Sequence, residues 1–148
     1  MTAILIDTNV LVYAHDRGEY EKQGQAIEIL AALQAAGAGR LSVQCLSEFF
    51  SATTRGKLPK LTIEQASEQM EIISRAFRVF DLTPIIVLEA ARGVRDYSLS
   101  YYDAQIWAAA RLNQVPLIFS EDFDSGAVLE GVRFVNPFAP DFAIENWV

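Results

Sequence analysis

The stretch that most constrains this chain is its first strand, in which branched apolar residues run directly into a carboxylate. Residues 3–6 read Ala-Ile-Leu-Ile, and Asp7 follows them. A short apolar run that ends in a polar turn is typical of a strand buried on both faces of a parallel sheet. Ligands of open α/β sheets bind just beyond the carboxyl ends of such strands, so Asp7 occupies a candidate site position. Taken alone, Asp7 is more simply explained as the N-cap of a following helix.

A second stretch repeats this pattern near the other end of the chain. Residues 116–119 read Pro-Leu-Ile-Phe, and Ser120, Glu121 and Asp122 follow. If the two strands are parallel neighbours, Asp7 and Asp122 emerge at the same edge of the sheet. Two carboxylates held close together repel each other unless a cation lies between them. The two strand ends therefore predict a metal site.

The length and composition indicate one domain, residues 1–148, with a full hydrophobic core. Hydrophobic residues make up 51% of the 148 residues, which is high for a soluble domain and predicts that further surface is buried against a second copy of the chain or a partner. No apolar run is long enough to span a membrane, and no basic segment marks a signal peptide. With Cys45 as the only cysteine, the expected location is the cytoplasm.

The formal net charge of −7 argues against a broad basic surface for nonspecific binding of nucleic acid. It does not exclude a nuclease, because a metal site itself concentrates acidic residues. The densest basic patch is formed by Arg55, Lys57 and Lys60. We interpret Arg55 as a phosphate-contacting, substrate-binding residue and the lysines as ordinary loop residues. His15, the only histidine, is expected to face solvent in a loop and is assigned no role.

Two further acidic residues lie on predicted helices. Glu48 lies on the helix predicted over Gln44–Arg55, at the border of a packed face, where it needs a partner such as Arg55 or another cation. Asp103 follows Ser100 by three residues, a spacing that resembles a capping box. The first turn of a helix also favours an anion through the helix dipole, so a capping role and a site role for Asp103 are compatible.

The resulting set of acids is Asp7, Glu48, Asp103 and Asp122. No cysteine or histidine cluster and no serine triad competes with them. Carboxylates prefer hard cations such as Mg²⁺ or Mn²⁺ over Zn²⁺, and sites of this kind perform hydrolysis or phosphoryl transfer.

These motifs resemble those of PIN-domain proteins, and specifically of the VapC-type toxin ribonucleases of bacterial toxin–antitoxin pairs. The residues that carry the resemblance occur in the family's order over nearly the whole chain: Ile6–Val10, Ser47–Phe49, Tyr102–Ala104, Ser120–Phe123 and the closing run Gly131–Phe138.

The resemblance implies a three-layer α/β/α sandwich around a central parallel sheet. It implies an Mg²⁺- or Mn²⁺-dependent endoribonuclease that forms a homodimer and is inhibited by a cognate antitoxin. Its substrate would be RNA, such as tRNA or another structured RNA, and attack by water would leave 5′-phosphate and 3′-hydroxyl ends. Carried over by position, the metal ligands and catalytic acids are Asp7, Glu48, Asp103 and Asp122, with Glu121 and Asp124 left open.

Two other functions fit parts of the pattern. A phosphatase of the haloacid-dehalogenase type also begins with a strand that ends in Asp, but it needs a second Asp where this chain has Asn9. Such an enzyme also needs a lysine shortly before the final acids, and none lies close before Asp122. A non-catalytic PIN-like binding module is the other alternative, and retention of all four acids argues against it.

Overall fold

A six-stranded sheet organises the fold, and the strand containing Ile4–Ile6 lies near its middle. The structure, a computed structural model, describes residues 1–148. In chain order the elements are β1 (Ile4–Ile6), α1 (Thr8–Tyr13), α2 (Tyr20–Ala36), β2 (Gly39–Ser42), α3 (Val43–Thr54), α4 (Ile63–Ala76), β3 (Arg78–Phe80), α5 (Pro84–Tyr97), α6 (Tyr101–Leu112), β4 (Leu117–Phe119), β5 (Val128–Leu129), β6 (Val132–Val135) and a 3₁₀ turn (Ile144–Asn146).

The strand order is β3-β2-β1-β4-β6-β5. All pairings are parallel except that of the short edge strand β5 with β6. Helices flank the sheet, so the predicted α/β/α architecture with a central parallel sheet is confirmed. All residues of β1 and β4 are buried, as their apolar runs predict for central parallel strands.

The register of β1 and β4 determines what meets at the sheet edge. Ile6 is aligned with Phe119, and the backbone N–H of Asp7 donates to the Phe119 carbonyl at 3.0 Å. Asp7 and Ser120 are therefore the first residues beyond the sheet on two adjacent strands. This alignment produces the juxtaposition that the two apolar-to-acid stretches predict.

One hydrophobic cluster of 30 buried residues forms the core, and Trp107 on α6 is its largest fully buried side chain. Helix α5 approaches this indole closely at Gly93. A Cβ at position 93 would lie 2.9 Å from two atoms of the Trp107 ring. The absence of a side chain at Gly93 therefore lets α5 and α6 pack closely, which fixes the helix that carries Asp103.

The C-terminal segment packs back onto the body of the protein. Two aromatic rings of this segment pack against the ring of Phe119 on β4. The centroid of the Phe142 ring lies 5.4 Å from that of Phe119, and the centroid of the Trp147 ring lies 6.0 Å from it. None of the helices is long and apolar enough to cross a lipid bilayer.

Candidate active site

Three of the four sequence-predicted acids meet beyond the carboxyl ends of β1 and β4. Asp7 ends β1, Asp103 lies in the first turn of α6, and Asp122 lies in the loop after β4. Each offers a carboxylate oxygen, and these three oxygens lie within 4.8 Å of one another. We refer to Asp7, Asp103 and Asp122 as the aspartate cluster.

Asp7 is both a helix cap and a member of the cluster. Its side chain is only 4% exposed. One oxygen accepts from the N–H of Thr8 at 2.7 Å, and the other accepts from Ser120 Oγ at 2.7 Å. Burial raises the pKa of Asp7 to about 7, and the charges of Asp122 and Asp103 act in the same direction. The cap and site interpretations of Asp7 are therefore compatible.

Asp103 is half-buried at the start of α6. The predicted capping box is wrong, because Ser100 occupies the N-cap position but its side chain caps no backbone N–H. Burial raises the pKa of Asp103, and the charges of Asp122 and Glu48 add to the effect. Asp103 therefore faces the other acids, a placement that sequence spacing alone does not reveal.

Asp122 is exposed to solvent and is held by Asn9 and Ser120. Asn9 Nδ2 donates to Asp122 Oδ2 at 3.1 Å and to Ser120 Oγ at 3.2 Å, and Ser120 Oγ also accepts from the N–H of Asp122. Ser120 thus connects Asp7 to Asp122, a role that the sequence analysis missed. The amide oxygen of Asn9 is buried and has no hydrogen-bond partner.

Glu48 lies beside the aspartate cluster but is not one of its three members. Its Oε2 accepts from Thr8 Oγ1 at 2.9 Å, and its Oε1 accepts from Gln44 Nε2 at 2.5 Å. Arg55 forms no ion pair with it, nor does any other cation, so the expectation of a cationic partner is wrong. Two neutral donors stabilise the Glu48 carboxylate instead.

The two acids left open by the sequence analysis lie outside the aspartate cluster. Glu121 pairs with Lys22 at 2.9 Å and accepts a hydrogen bond from the hydroxyl of Tyr13. Asp124 is exposed. The adjacent carboxylates of Glu121 and Asp122 therefore have different partners: Glu121 binds Lys22 and Tyr13, whereas Asp122 binds Asn9.

His15 differs from its predicted environment. It is half-buried, and its ring packs edge-to-face against Phe49 at a centroid distance of 5.6 Å. Burial lowers the pKa of His15, as expected for a base that loses hydration when charged. The prediction of a solvent-facing side chain is therefore wrong.

A groove of about 880 Å³ runs beside these acids. Its lining includes acidic residues, Glu48 and Asp122, and two basic residues, Arg55 and Lys60. Glu48 lies within α3, and Arg55 directly follows the last residue of this helix, seven positions further along the chain. Arg55 is exposed and free of ion pairs, so it is available to contact a ligand in the groove.

A family comparison accounts for this arrangement. The sequence model of the PIN domain matches residues 4–128, which include all four predicted acids. The chain belongs to the PIN domain family. A search of curated proteins finds no significant match.

Solved structures share the fold at low sequence identity. A toxin–antitoxin complex from Klebsiella pneumoniae has a TM-score of 0.66 and 18% identity, covering 92% of this chain and 98% of that one. VapC20 from Mycobacterium tuberculosis, described as a sarcin–ricin loop cleaving toxin, has a TM-score of 0.66 and 21% identity, covering 88% and 99%. DNA-bound VapBC from Salmonella typhimurium has a TM-score of 0.66 and 16% identity, covering 90% and 97%.

Proposed function

We propose that this PIN domain is a divalent-metal-dependent endoribonuclease and acts as the VapC-type toxin of a toxin–antitoxin pair. The observation that carries the proposal is the aspartate cluster. Three carboxylates from distant parts of the chain converge beyond the central strands, and no protein cation pairs with any of them. Such an arrangement is unfavourable unless a cation compensates the charge.

The residues present fit Mg²⁺ or Mn²⁺. The available donors are carboxylate oxygens, which hard divalent cations prefer, and the buried amide oxygen of Asn9 lacks a donor. Asp7, Asp103 and Asp122 would hold the cation, with Glu48 as the fourth carboxylate at the edge of the cluster. When bound, the cation supplies a water of lowered pKa and neutralises charge that develops on the phosphate.

The surrounding side chains keep these acids in place. Ser120 donates to Asp7 and accepts from the Asp122 backbone, which holds two of the three aspartates in one orientation. Thr8 donates to Glu48, so the same short turn positions both Asp7 and Glu48. Asp7, Glu48, Asp103 and Asp122 are thus the proposed catalytic acids, and hydrolysis would leave 5′-phosphate and 3′-hydroxyl ends.

The groove supports RNA as the substrate. Arg55 would contact a phosphate, since its guanidinium makes no protein ion pair and lines the groove with Glu48 and Asp122. Tyr102, which is 66% exposed, and Leu82 also line the groove and offer apolar contact to a nucleobase. The similarity to a toxin described as cleaving the sarcin–ricin loop supports structured RNA, including tRNA, as the first substrate class to test.

A cognate antitoxin is the proposed partner, because a structure with the same fold is a toxin–antitoxin complex from Klebsiella pneumoniae. We expect an arginine or lysine of the antitoxin to pair with the aspartate cluster and exclude metal and phosphate from it. A complex in which all four acids stay open to solvent would contradict this expectation. Ile85 and Leu88, both exposed on α5, offer an apolar face for the proposed homodimer, and the proposed location is the cytoplasm.

The test is cleavage of tRNA by the purified protein in Mn²⁺, in parallel with chelator and with Asp122→Asn. Asp122 is exposed, so this variant should fold while losing activity. We expect cleavage only for the wild-type protein in Mn²⁺. Equal cleavage in chelator would reject the metal mechanism, and no cleavage of any RNA in Mn²⁺ would favour the non-catalytic binding module.

The haloacid-dehalogenase alternative is not supported by the family match or by the site. Asn9 stands where that mechanism needs a second acid, and its amide nitrogen is engaged by Asp122 and Ser120. A carboxamide does not titrate near neutral pH, so Asn9 cannot act as the acid or base of that mechanism.

A further inference from the structure

Two buried glutamines form a chain of hydrogen bonds that ends on Glu48. Gln105 Nε2 on α6 donates to Gln44 Oε1 on α3 at 2.7 Å. Gln44 Nε2 then donates to Glu48 Oε1 at 2.5 Å and to the carbonyl of Tyr102 at 3.1 Å. We refer to Gln105 and Gln44 as the glutamine relay.

Both amide side chains of the relay are almost fully buried in the core. Gln105 is 5% exposed and Gln44 is 7% exposed. In α6, residues 104–110 are all buried, and Gln105 is the only polar side chain among them. An apolar residue at this position would avoid the free-energy cost of burying an amide. The presence of Gln105 is therefore better explained by its hydrogen bond to Gln44 than by core packing alone.

The direction of these hydrogen bonds is fixed by a backbone group. The Tyr102 carbonyl can only accept, so the amide nitrogen of Gln44 must face it, and the amide oxygen must face Gln105. The same nitrogen necessarily presents a donor to Glu48. If Gln105 did not donate to Gln44 Oε1, that buried oxygen would be unsatisfied, and rotation of the amide would place an oxygen against the carboxylate.

Glu48 therefore receives one donor on each oxygen, from Gln44 and from Thr8. Donors to both oxygens restrict the carboxylate to one orientation. Each carboxylate oxygen has two lone pairs, so each retains one that is free to face a ligand at the edge of the aspartate cluster.

We propose that Gln105 and Gln44 are positioning residues that hold Glu48 in one orientation as the fourth carboxylate for a divalent cation. This inference rests on the proposed metal-dependent function. It assigns a role to Gln105, which forms no hydrogen bond with any of the four acids and acts on Glu48 through Gln44.

The test substitutes Gln105→Met, which keeps the length of the side chain and removes the donor. Mn²⁺ affinity is measured by the electron paramagnetic resonance signal of free Mn²⁺, and RNA cleavage is measured in parallel. Loss of a residue that orients a metal ligand typically lowers affinity or activity by about 10- to 100-fold, and we expect this loss in Mn²⁺ affinity. The matched control is Thr53→Val, because Thr53 is buried on α3 and donates only to helix carbonyls. This control should bind Mn²⁺ as the wild type does.

A double-mutant cycle shows whether Gln105 acts through Glu48. In a Glu48→Gln background, Gln105→Met should lower Mn²⁺ affinity no further. An equal loss in both backgrounds would overturn the relay, as would wild-type affinity in Gln105→Met alone. If Gln105→Met does not fold, Gln105→Asn replaces it, since one methylene fewer keeps the amide but moves the donor away from Gln44.

The failure of this inference is distinguishable from the failure of the proposed function. If the wild-type protein cleaves RNA and the Gln105 variants bind Mn²⁺ with unaltered affinity, the relay is overturned and the proposed nuclease function is not. Mn²⁺ binding without cleavage of any RNA would overturn the nuclease, while the affinity measurements would still decide on the relay. A wild-type protein that binds no Mn²⁺ would overturn both.

Discussion

Raising the pH should destabilise the metal-free protein, because Asp7 must ionise in a buried position beside two other carboxylates. The folded pKa of Asp7 is about 7, compared with an ordinary value of 3.8. Between these values the folded state binds a proton that the unfolded state has released. The free energy of unfolding therefore falls as the pH rises through this window. Asp103, whose pKa is also raised, contributes in the same direction.

The size of the effect follows from the two pKa values of Asp7. Each pH unit between them corresponds to about 1.4 kcal/mol, so full ionisation costs the folded state up to about 4 kcal/mol. Roughly a quarter of this cost is already present at pH 4.5. We therefore expect a loss of about 3 kcal/mol between pH 4.5 and pH 8, which corresponds to a fall of about 6–12 °C in melting temperature.

The assay is a set of urea unfolding curves in chelator across this pH range, for the wild type and for Asp7→Asn. The window starts above the pKa of Glu130, which Arg92 and Tyr97 hold at about 2. His15, whose pKa is lowered by burial, changes stability in the opposite sense, but both proteins contain it. The difference in slope between the two proteins therefore isolates Asp7. Equal slopes would refute the reasoning.

Removing a neighbouring charge and adding metal should both reverse the effect. At pH 8 in chelator, Asp103→Asn should melt higher than the wild type, because it keeps the shape of the side chain and removes one repelling carboxylate. Mn²⁺ at about 100 times its dissociation constant should stabilise the wild type by about 2.7 kcal/mol. If Asp103→Asn melts lower than the wild type in chelator and is stabilised by Mn²⁺ as much as the wild type is, Asp103 stabilises the start of α6 and lies outside the metal site.

Three further changes test the groove, the packing and the second acid of the loop. Arg55→Ala should raise the KM for RNA about tenfold with little change in kcat, equivalent to about 1.4 kcal/mol of lost binding, whereas the exposed Arg75→Ala should change neither constant. Gly93→Ala should destabilise the protein by about 1–3 kcal/mol, because its methyl group meets an indole ring, while Gly24→Ala, with open space around it, should be neutral or stabilising in thermal melts. Glu121→Gln should leave Mn²⁺ affinity within about twofold, because this carboxylate pairs with a lysine outside the cluster; a loss of tenfold or more would place it in the site.

The sequence indicates the central strands and the acids that end them, because a buried parallel strand has a strong local pattern. Apolar residues without alternation, followed directly or within two residues by an acid, identify both β1 and β4. Their parallel alignment then brings Asp7 and Asp122 together without further information. This part of the site depends on backbone geometry that is common to open α/β sheets.

The supporting polar residues have no such local signal. Gln44 and Gln105 are polar residues within helices, and nothing in their spacing distinguishes a buried relay from a solvated helix face. Ser120 precedes two acids and does not stand out from a turn residue. The packing of His15 against Phe49 and the absence of a cap from Ser100 likewise depend on tertiary contacts that spacing does not encode.

The placement of β1 beside β4 also has a consequence for biosynthesis. The hydrogen bond between Asp7 and Ser120 joins residues 113 positions apart, so the aspartate cluster combines a group from one strand with groups that are synthesised much later in the chain. A ribosome-bound or prematurely terminated chain that stops before residue 117 contains Asp7, Glu48 and Asp103 but lacks the strand that orders the sheet edge. Such a product would lack Asp122 and therefore the complete aspartate cluster. A nuclease built this way becomes competent only after β4 and the loop that carries Asp122 have been synthesised.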